Sequence, residues 1–500
     1  MFEPPYPPYD PIDKAGYDTV VRRWPVILTG IVDHLHRLVH DYTLESQGLP
    51  DADDKRAVLA EKIKEGQAII QKISGLKARM ARDRELEEIP QDGEAYVDEY
   101  NAELQRLAQT SQNTWFTAPW LYAECYLYRL FRAYFKQTTH WCDFDPFFAQ
   151  KQEMFKNSGS AIYQIATTMH ELESEKTKIE GDPEKLGVLF KEMIQMCLWC
   201  DLSLLTHLSP SDIEHLQTVG KDAQEARKEF ILKDDQDNVW EHIKSLKDKG
   251  SRCDFILDNE GIFFNTQLFT DFVFADFLVT HTPYFSQVVF HPKLFPWFVS
   301  DVTPTDFEAT ISSLLSSSFF PPESSMSSPA SVAHLEQMVN RWKSYLKDGT
   351  FTLSTNLGGA DTKRMAEFWT SPWPYWNMKE RESELWKWLS GSGLVIFKEV
   401  RPLGGSFALL SLRTNKADVA VGVPQEVADK LDVRGEKWRV SGKYVVLLGV
   451  SCCLLKTDVP ALKICAGKLP SERAMKKPYV YITASQFVKD ILRFVGKPIT

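Results

Sequence analysis

The sequence predicts an α/β protein in which a long helical N-terminal region precedes a layer built on a mainly parallel sheet. Three observations carry this. Apolar residues recur at three- and four-residue spacing from Trp24 to about Leu246. From about Ser251 onward, short apolar runs bounded by Asp, Asn, Gly and Pro alternate with helical patterns, the texture of strands joined by crossover helices. The chain has 500 residues, 43% hydrophobic and 25% charged, enough for more than one sizeable core and outside the range of disordered or fibrous chains.

In order along the chain, residues 1–16 are rich in Pro and Tyr and predict an extended surface arm. Residues 17–250 predict a helical domain. Val26, Ile27, Ile31, Leu35 and Leu38 line one helix face; Ile63, Ile69, Ile70, Ile73 and Leu76 line the next, whose other face from Asp53 to Arg84 is charged and reads as solvated. The run WFTAPWLYAECYLYRLFRAYF from Trp115 predicts a core helix in which Glu124 and Arg129 must pair with each other or with other groups. Cys197 and Cys200 form a CxxC inside FKEMIQMCLWCDLSLL, which predicts a buried helix rather than a redox or zinc site.

Residues 251–450 predict the α/β domain, with strands at 253–257, 295–300, 394–397, 407–412, 418–423 and 444–448. The Ser-rich stretch 312–331 predicts a flexible surface loop, and residues 451–500 an atypical C-terminal tail.

The bulk properties exclude several function classes. Lys+Arg 58 against Asp+Glu 68 gives a net charge of −10, which argues against nucleic acid or an anionic membrane as the main partner. No 18-residue apolar run and no signal core at MFEPPYPPYDP predict a chain that neither spans nor crosses a membrane by the usual route. Eight scattered cysteines suit reduced thiols in the cytoplasm or nucleus.

Ligands of parallel α/β sheets bind at the carboxyl ends of strands. Four such ends stand out. CDFIL is followed by Asp258 and Asn259, and FPWFVS by Asp301, 43 residues further on. Were those strands neighbours, three oxygen-bearing side chains would converge in a set suited to magnesium or manganese. The other two ends are basic: Lys398 after 394–397, and Arg413-Thr414-Asn415-Lys416 after ALLSL, a guanidinium and an ammonium at phosphate-clamp spacing. An Asp after a strand also serves as a helix cap, and a short basic run as a solvated face.

Taken together, APWLYAECYLYR, the pairing of LDNEG with FTDFVFADFLV, PWFVSDVTPTDF, FWTSPWPYW and RTNK resemble the metal-dependent damage-control phosphatases of the Arg-Thr-x-Lys class. These are also called the acidic-residue methyltransferase-like or sugar-phosphate phosphatase family. The resemblance covers about residues 4–450 and extends to fungal members at the Pro/Tyr-rich start. It implies a helical N-terminal domain packed on a Rossmann-like α/β/α domain, and hydrolysis of a small phosphorylated substrate such as fructose 1-phosphate with manganese, nickel, cobalt or magnesium. It also implies Asp258, Asn259 and Asp301 as metal ligands, Asp258 and Lys416 as catalytic, and Asp258, Asn259, Gln267, Arg413 and Lys416 as substrate-binding. An alternative activity attached to the family is S-adenosylmethionine-dependent protein carboxyl methylation. No Gly-x-Gly-x-x-Gly loop follows a strand here; Gly358-Gly359 and Gly404-Gly405 are the substitutes. A non-catalytic family member is the third reading.

Two departures from the family pattern are visible. GIFFNTQLFTD from Gly261 to Asp271 is longer than the family segment, and Gln267 stands where the family has a substrate-binding glutamate. After VIFK the family's substrate loop Gly-Asp-Leu-Asn-Tyr-Arg-Lys-Leu is absent, and Lys398 runs directly into EVRPLGGSFALL. These departures predict a splice variant or imperfect gene model, lacking an exon piece and carrying intron-derived residues, with impaired substrate binding.

Overall fold

A computed structural model describes residues 19–50, 53–199, 231–234, 236–257, 264–320, 328–358, 361–373, 378–403, 444–453 and 479–485. Helices α1 (Trp24–Gln47), α2 (Asp54–Ala81), α3 (Val97–Gln109) and α4 (Trp120–Lys136) form the first part. In α1 the buried stripe is Trp24, Leu28, Ile31, Leu35 and Val39, so that Val26, expected on the apolar face, is instead exposed; in α2 the stripe includes Ile69, Ile70, Ile73 and Leu76, as the periodicity requires. The Asp53 carboxylate caps α2 by accepting from the Lys55 N–H at 2.8 Å. On α4, Arg129 and Glu124 do not pair with each other. Arg129 forks onto Asp92 at 2.7 and 2.8 Å, and Glu124 accepts from the Trp24 indole.

Next come α5 (Phe148–Lys156), α6 (Gly159–Ser174) and α7 (Pro183–Trp199). Cys197 is buried on α7 with its thiol directed at the Thr270 carbonyl, as a structural cysteine would be; Cys200 lies outside the described residues. Among the described residues Cys125, Cys142, Cys197 and Cys253 are free thiols, and no helix is long and apolar enough to cross a membrane.

The α/β part follows as β1 (Ile231–Asp234), α8 (Gln236–Lys244), β2 (Ser251–Ile256), α9 (Phe264–Thr280), β3 (Phe285–His291), α10 (Pro304–Leu314), α11 (Pro329–Asp348), β4 (Phe351–Leu353), α12 (Ser383–Ser390), β5 (Leu394–Leu403), β6 (Tyr444–Cys453) and β7 (Tyr479–Ser485). Strands β4, β3, β2 and β5 lie side by side in that order, all parallel, with Ile256 level with His291 on one side and Phe397 on the other. The sheet continues through β6, β7 and β1, with β6–β7 the antiparallel pair. From β2 the chain winds outward through β3 to β4, then returns to the far side of β2 as β5. The β2/β5 boundary is therefore a topological switch point, the place where ligands of open α/β sheets bind.

Three expectations are corrected here. Residues 295–300 are not a strand. Pro292 and Pro296 cannot donate to a ladder, and Phe298 and Val299 adopt left-handed φ of 44° and 72°. The strand is instead the segment Phe285–His291 upstream, and β1, β4 and β7, the last within the expected tail 451–500, are further strands not foreseen. Nor is 312–331 wholly a surface loop: α10 runs to Leu314, Phe320 is buried against Phe155, and Ser328 caps α11. The apolar chain around the serines accounts for this. The runs 407–412 and 418–423, the arm 1–16 and most of 451–500 lie outside the described residues.

Buried apolar side chains gather into two clusters among the described residues. One joins α6, α7 and α9 to the sheet; the other holds α1 to α4 together and takes in Phe295 and Trp297 from the loop after β3. That loop bridges the helical cluster and the sheet.

Candidate functional site

The chain leaves β2 through Leu257, whose N–H donates to the His291 carbonyl at 3.1 Å, so the carboxyl ends of β2 and β3 stay joined. Asp258 and Asn259 follow next in sequence. Both lie outside the described residues, as do Arg413 and Lys416.

Beyond β3 the chain makes an excursion and comes back. The Lys293 N–H donates to the Val302 carbonyl at 2.8 Å, closing a loop whose end returns to the strand edge. At its far side the loop is gripped by the helical cluster: the Tyr128 ring lies 6.0 Å from Trp297 and 5.3 Å edge-on from Phe298, and the Arg132 guanidinium sits 5.4 Å over Phe295. A β-branched valine at φ 72° and a bulky phenylalanine at φ 44° are both strained, at a cost on the order of 1–3 kcal/mol each. The turn they make brings Asp301 back, its N–H donating to the Trp297 carbonyl at 3.2 Å.

Asp301 is 1% exposed, with Oδ2 at 3.7 Å from the Lys293 ammonium. A strained loop, and not the strand end that the sequence leads one to expect, thus brings Asp301 back beside Lys293, which follows β3. Thr303 then caps α10. Its hydroxyl accepts from the Asp306 N–H while the Asp306 carboxylate accepts from the Thr303 N–H, a closed capping box. Lys151 of α5 reaches in from the helical side to Asp306 Oδ2 at 2.7 Å, Asp145 Oδ2 at 2.9 Å and the Asp301 carbonyl at 3.3 Å. Burial opposes the Lys151 charge, yet the Asp145 and Asp306 carboxylates hold its pKa above the ordinary value; burial pushes Asp145 up.

Gln267 is fully buried in the first turn of α9, whose N-terminal end opens at the same sheet edge. Of the six residues singled out in the sequence, the described part of the chain therefore holds two, Asp301 and Gln267.

Below the edge lies a buried polar network. Asp254 of β2 accepts from Arg252 Nε at 2.7 Å, His291 Nε2 at 2.8 Å, Trp388 Nε1 at 2.9 Å and the Ser392 hydroxyl. Burial would raise the Asp254 pKa, but the His291 hydrogen bond and the Arg252 charge outweigh it and leave it lowered. His291 stands edge-on to Trp369 at 5.6 Å, and the Lys293 ammonium lies 5.8 Å from that ring's centre. Lys293, His291, Asp254 and Lys151 all escaped the sequence reading. A basic residue following His291-Pro292 at a strand end was the available signal for Lys293, but it needed β3 to be recognised first.

Among the described residues, no group of three or more His, Cys, Asp or Glu side chains is arranged to hold a metal ion. The donor chemistry at this edge nevertheless fits a hard divalent cation. Asp301 offers an oxygen donor of the kind such an ion prefers, while Asp258 and Asn259, which follow Leu257 in sequence, lie outside the described residues.

Comparison with known proteins points the same way. The family model described as damage-control phosphatase ARMT1-like domain matches residues 19–431. Curated relatives include damage-control phosphatase ARMT1 of Danio rerio, 32% identical over 467 residues that cover 86% of this chain and 94% of that protein. The Xenopus tropicalis protein of the same name is 29% identical, covering 86% and 95%. The Homo sapiens protein is 28% identical, covering 87% and 95%.

Proposed function

The chain belongs to the damage-control phosphatase ARMT1-like domain family, and on that premise we propose that it is a metal-dependent phosphatase releasing phosphate from small sugar phosphates such as fructose 1-phosphate. The observation that carries this reading is the buried Asp301 carboxylate beside Lys293, at the sheet edge where β2 hands over to Asp258 and Asn259. Asp258, Asn259 and Asp301 would hold the ion, which is manganese, nickel, cobalt or magnesium. When bound, it supplies Lewis-acid charge to the phosphoryl oxygens and makes water a better nucleophile at neutral pH.

The remaining roles fall to the chain's own groups. Lys293 balances the Asp301 carboxylate and keeps it from folding back onto other donors. Lys416 offsets the negative charge that builds on the phosphate in the transition state, with Arg413 orienting the same group. Gln267, an amide where the family has a carboxylate, can donate as well as accept, and we assign it to the sugar hydroxyls. The helical part and the α/β part, which begins at β1, then act as one unit, and reduced thiols suit a cytoplasmic or nuclear setting.

Strand β5 runs on through Lys398 to Leu403, paired with β6 along its whole length. Among the described residues the chain thus makes no loop at Lys398, which supports fewer substrate contacts there than the family pattern would supply. The expected consequence is weak substrate binding with the metal site intact.

A panel of sugar phosphates assayed for inorganic phosphate, with manganese and after chelation, tests the proposal. Manganese-dependent release from hexose or pentose monophosphates is expected, with loss of at least tenfold on chelation and recovery on adding the ion back. Release that is indifferent to chelator contradicts it.

A further inference from the structure

We infer that Lys151, far from the sheet edge in sequence and on the helical side of the molecule, is a positioning residue that sets the main chain of Asp301 and thereby aims its carboxylate. The inference rests on the assignment of Asp301 to the metal.

Three features support it. An ammonium has three protons, and Lys151 has three oxygen acceptors: Asp145, Asp306 and the carbonyl of Asp301 itself. Its side chain is 2% exposed and Asp306 1%, so neither can exchange the contact for water. The loop it tethers is also one that would not hold its shape alone, because Phe298 and Val299 carry left-handed φ immediately before Ser300 and Asp301. Strained turns persist only where their surroundings fix them. Here the rings around Tyr128 hold one end and Lys151 holds the other, through both the Asp301 carbonyl and the Asp306 that closes the α10 cap.

This arrangement gives the helical region a task in the chemistry. Groups that orient a metal ligand without touching the ion typically alter metal affinity about ten- to hundredfold when removed. A tether that served stability alone would lower the melting temperature and leave the affinity of the folded protein unchanged.

Calorimetric titration of manganese into the full chain separates the cases, using wild type, Asp301→Ala, Lys151→Met and Lys151→Arg. The expected order of affinity is wild type, then Lys151→Arg, then Lys151→Met weakened about ten- to hundredfold, with binding by Asp301→Ala lost. At saturating manganese, the KM of Lys151→Met should stay near wild type while kcat falls. Wild-type affinity in Asp301→Ala would contradict the metal assignment. Loss in Asp301→Ala with wild-type affinity in Lys151→Met would overturn the positioning role alone. If Lys151→Met does not fold, Lys151→Arg decides: it keeps the charge but splays it over a plane, and an affinity equal to wild type overturns the inference.

Discussion

Replacing Asp301 by alanine is expected to cut phosphate release by on the order of a thousandfold, equivalent to about 4 kcal/mol of transition-state stabilisation. The size follows from the site's construction. Asp301 is buried at the sheet edge with Lys293 3.7 Å from its carboxylate, so deleting the carboxylate removes an oxygen donor and also leaves a buried cation without that balance. A second cation cannot then enter beside Lys293 without repulsion. Asp301→Asn keeps the shape and one oxygen but loses the charge, and should fall between alanine and wild type. Gln267→Ala, which leaves the oxygen set untouched, should act mainly on KM. The check is initial-rate phosphate release at a manganese concentration that saturates the wild type, with circular dichroism to establish that each variant is folded. A rate for Asp301→Ala within threefold of wild type would sink the site.

The second large effect concerns stability. Arg129→Met should lower the unfolding free energy by about 3–5 kcal/mol at neutral pH, because the side chains of Arg129 and Asp92 are 1% and 0% exposed and the substitution strands the carboxylate. The pH dependence carries a definite sign. Burial alone would raise the Asp92 pKa, but hydrogen bonds from Arg129 and the Glu94 N–H, together with the Arg129 charge, hold it below its ordinary 3.8. A depressed folded value means the contribution is present above the unfolded pKa and is lost as the pH falls below about 4 through the lower folded value. Without Arg129 only the Glu94 N–H and the Arg132 charge still oppose burial, so the carboxyl pKa rises and the stability gained above pH 4 shrinks. Urea midpoints should therefore diverge between pH 4 and 7 and draw together in acid. Parallel curves across that range would show that the pair contributes nothing.

The sequence made the long helices legible because α1 and α2 carry period-3.6 stripes on an otherwise charged surface. Strands β2 and β5 were legible as short apolar runs. Strand β3 was not, because FSQVVFH is less apolar than the FPWFVS that follows it. The latter is apolar for a different reason: Phe295 and Trp297 fill the helical cluster, which asks for burial and says nothing of extension. An apolar run reports what is covered, not which backbone covers it.

The same distinction explains the site. Asp301 stood out in the sequence because it follows such a run, but it comes beside Lys293 by a loop closing through Lys293 and Val302 and not from a strand ending there. Lys151 could not be found at all. It sits in FAQKQEMFK, a helix whose polar residues look solvated, and only the fold brings it against Asp306 and the Asp301 carbonyl. Tertiary ion pairs leave no periodic mark.

The most direct measurement is an anomalous-scattering map from crystals grown with manganese, which requires neither turnover nor the right sugar phosphate. The account predicts one strong peak with oxygens of Asp258, Asn259 and Asp301 about 2.1 Å away, near the length for a hard divalent ion. A peak that excludes Asp301, or a fully ordered edge in excess manganese with no peak at all, would contradict it.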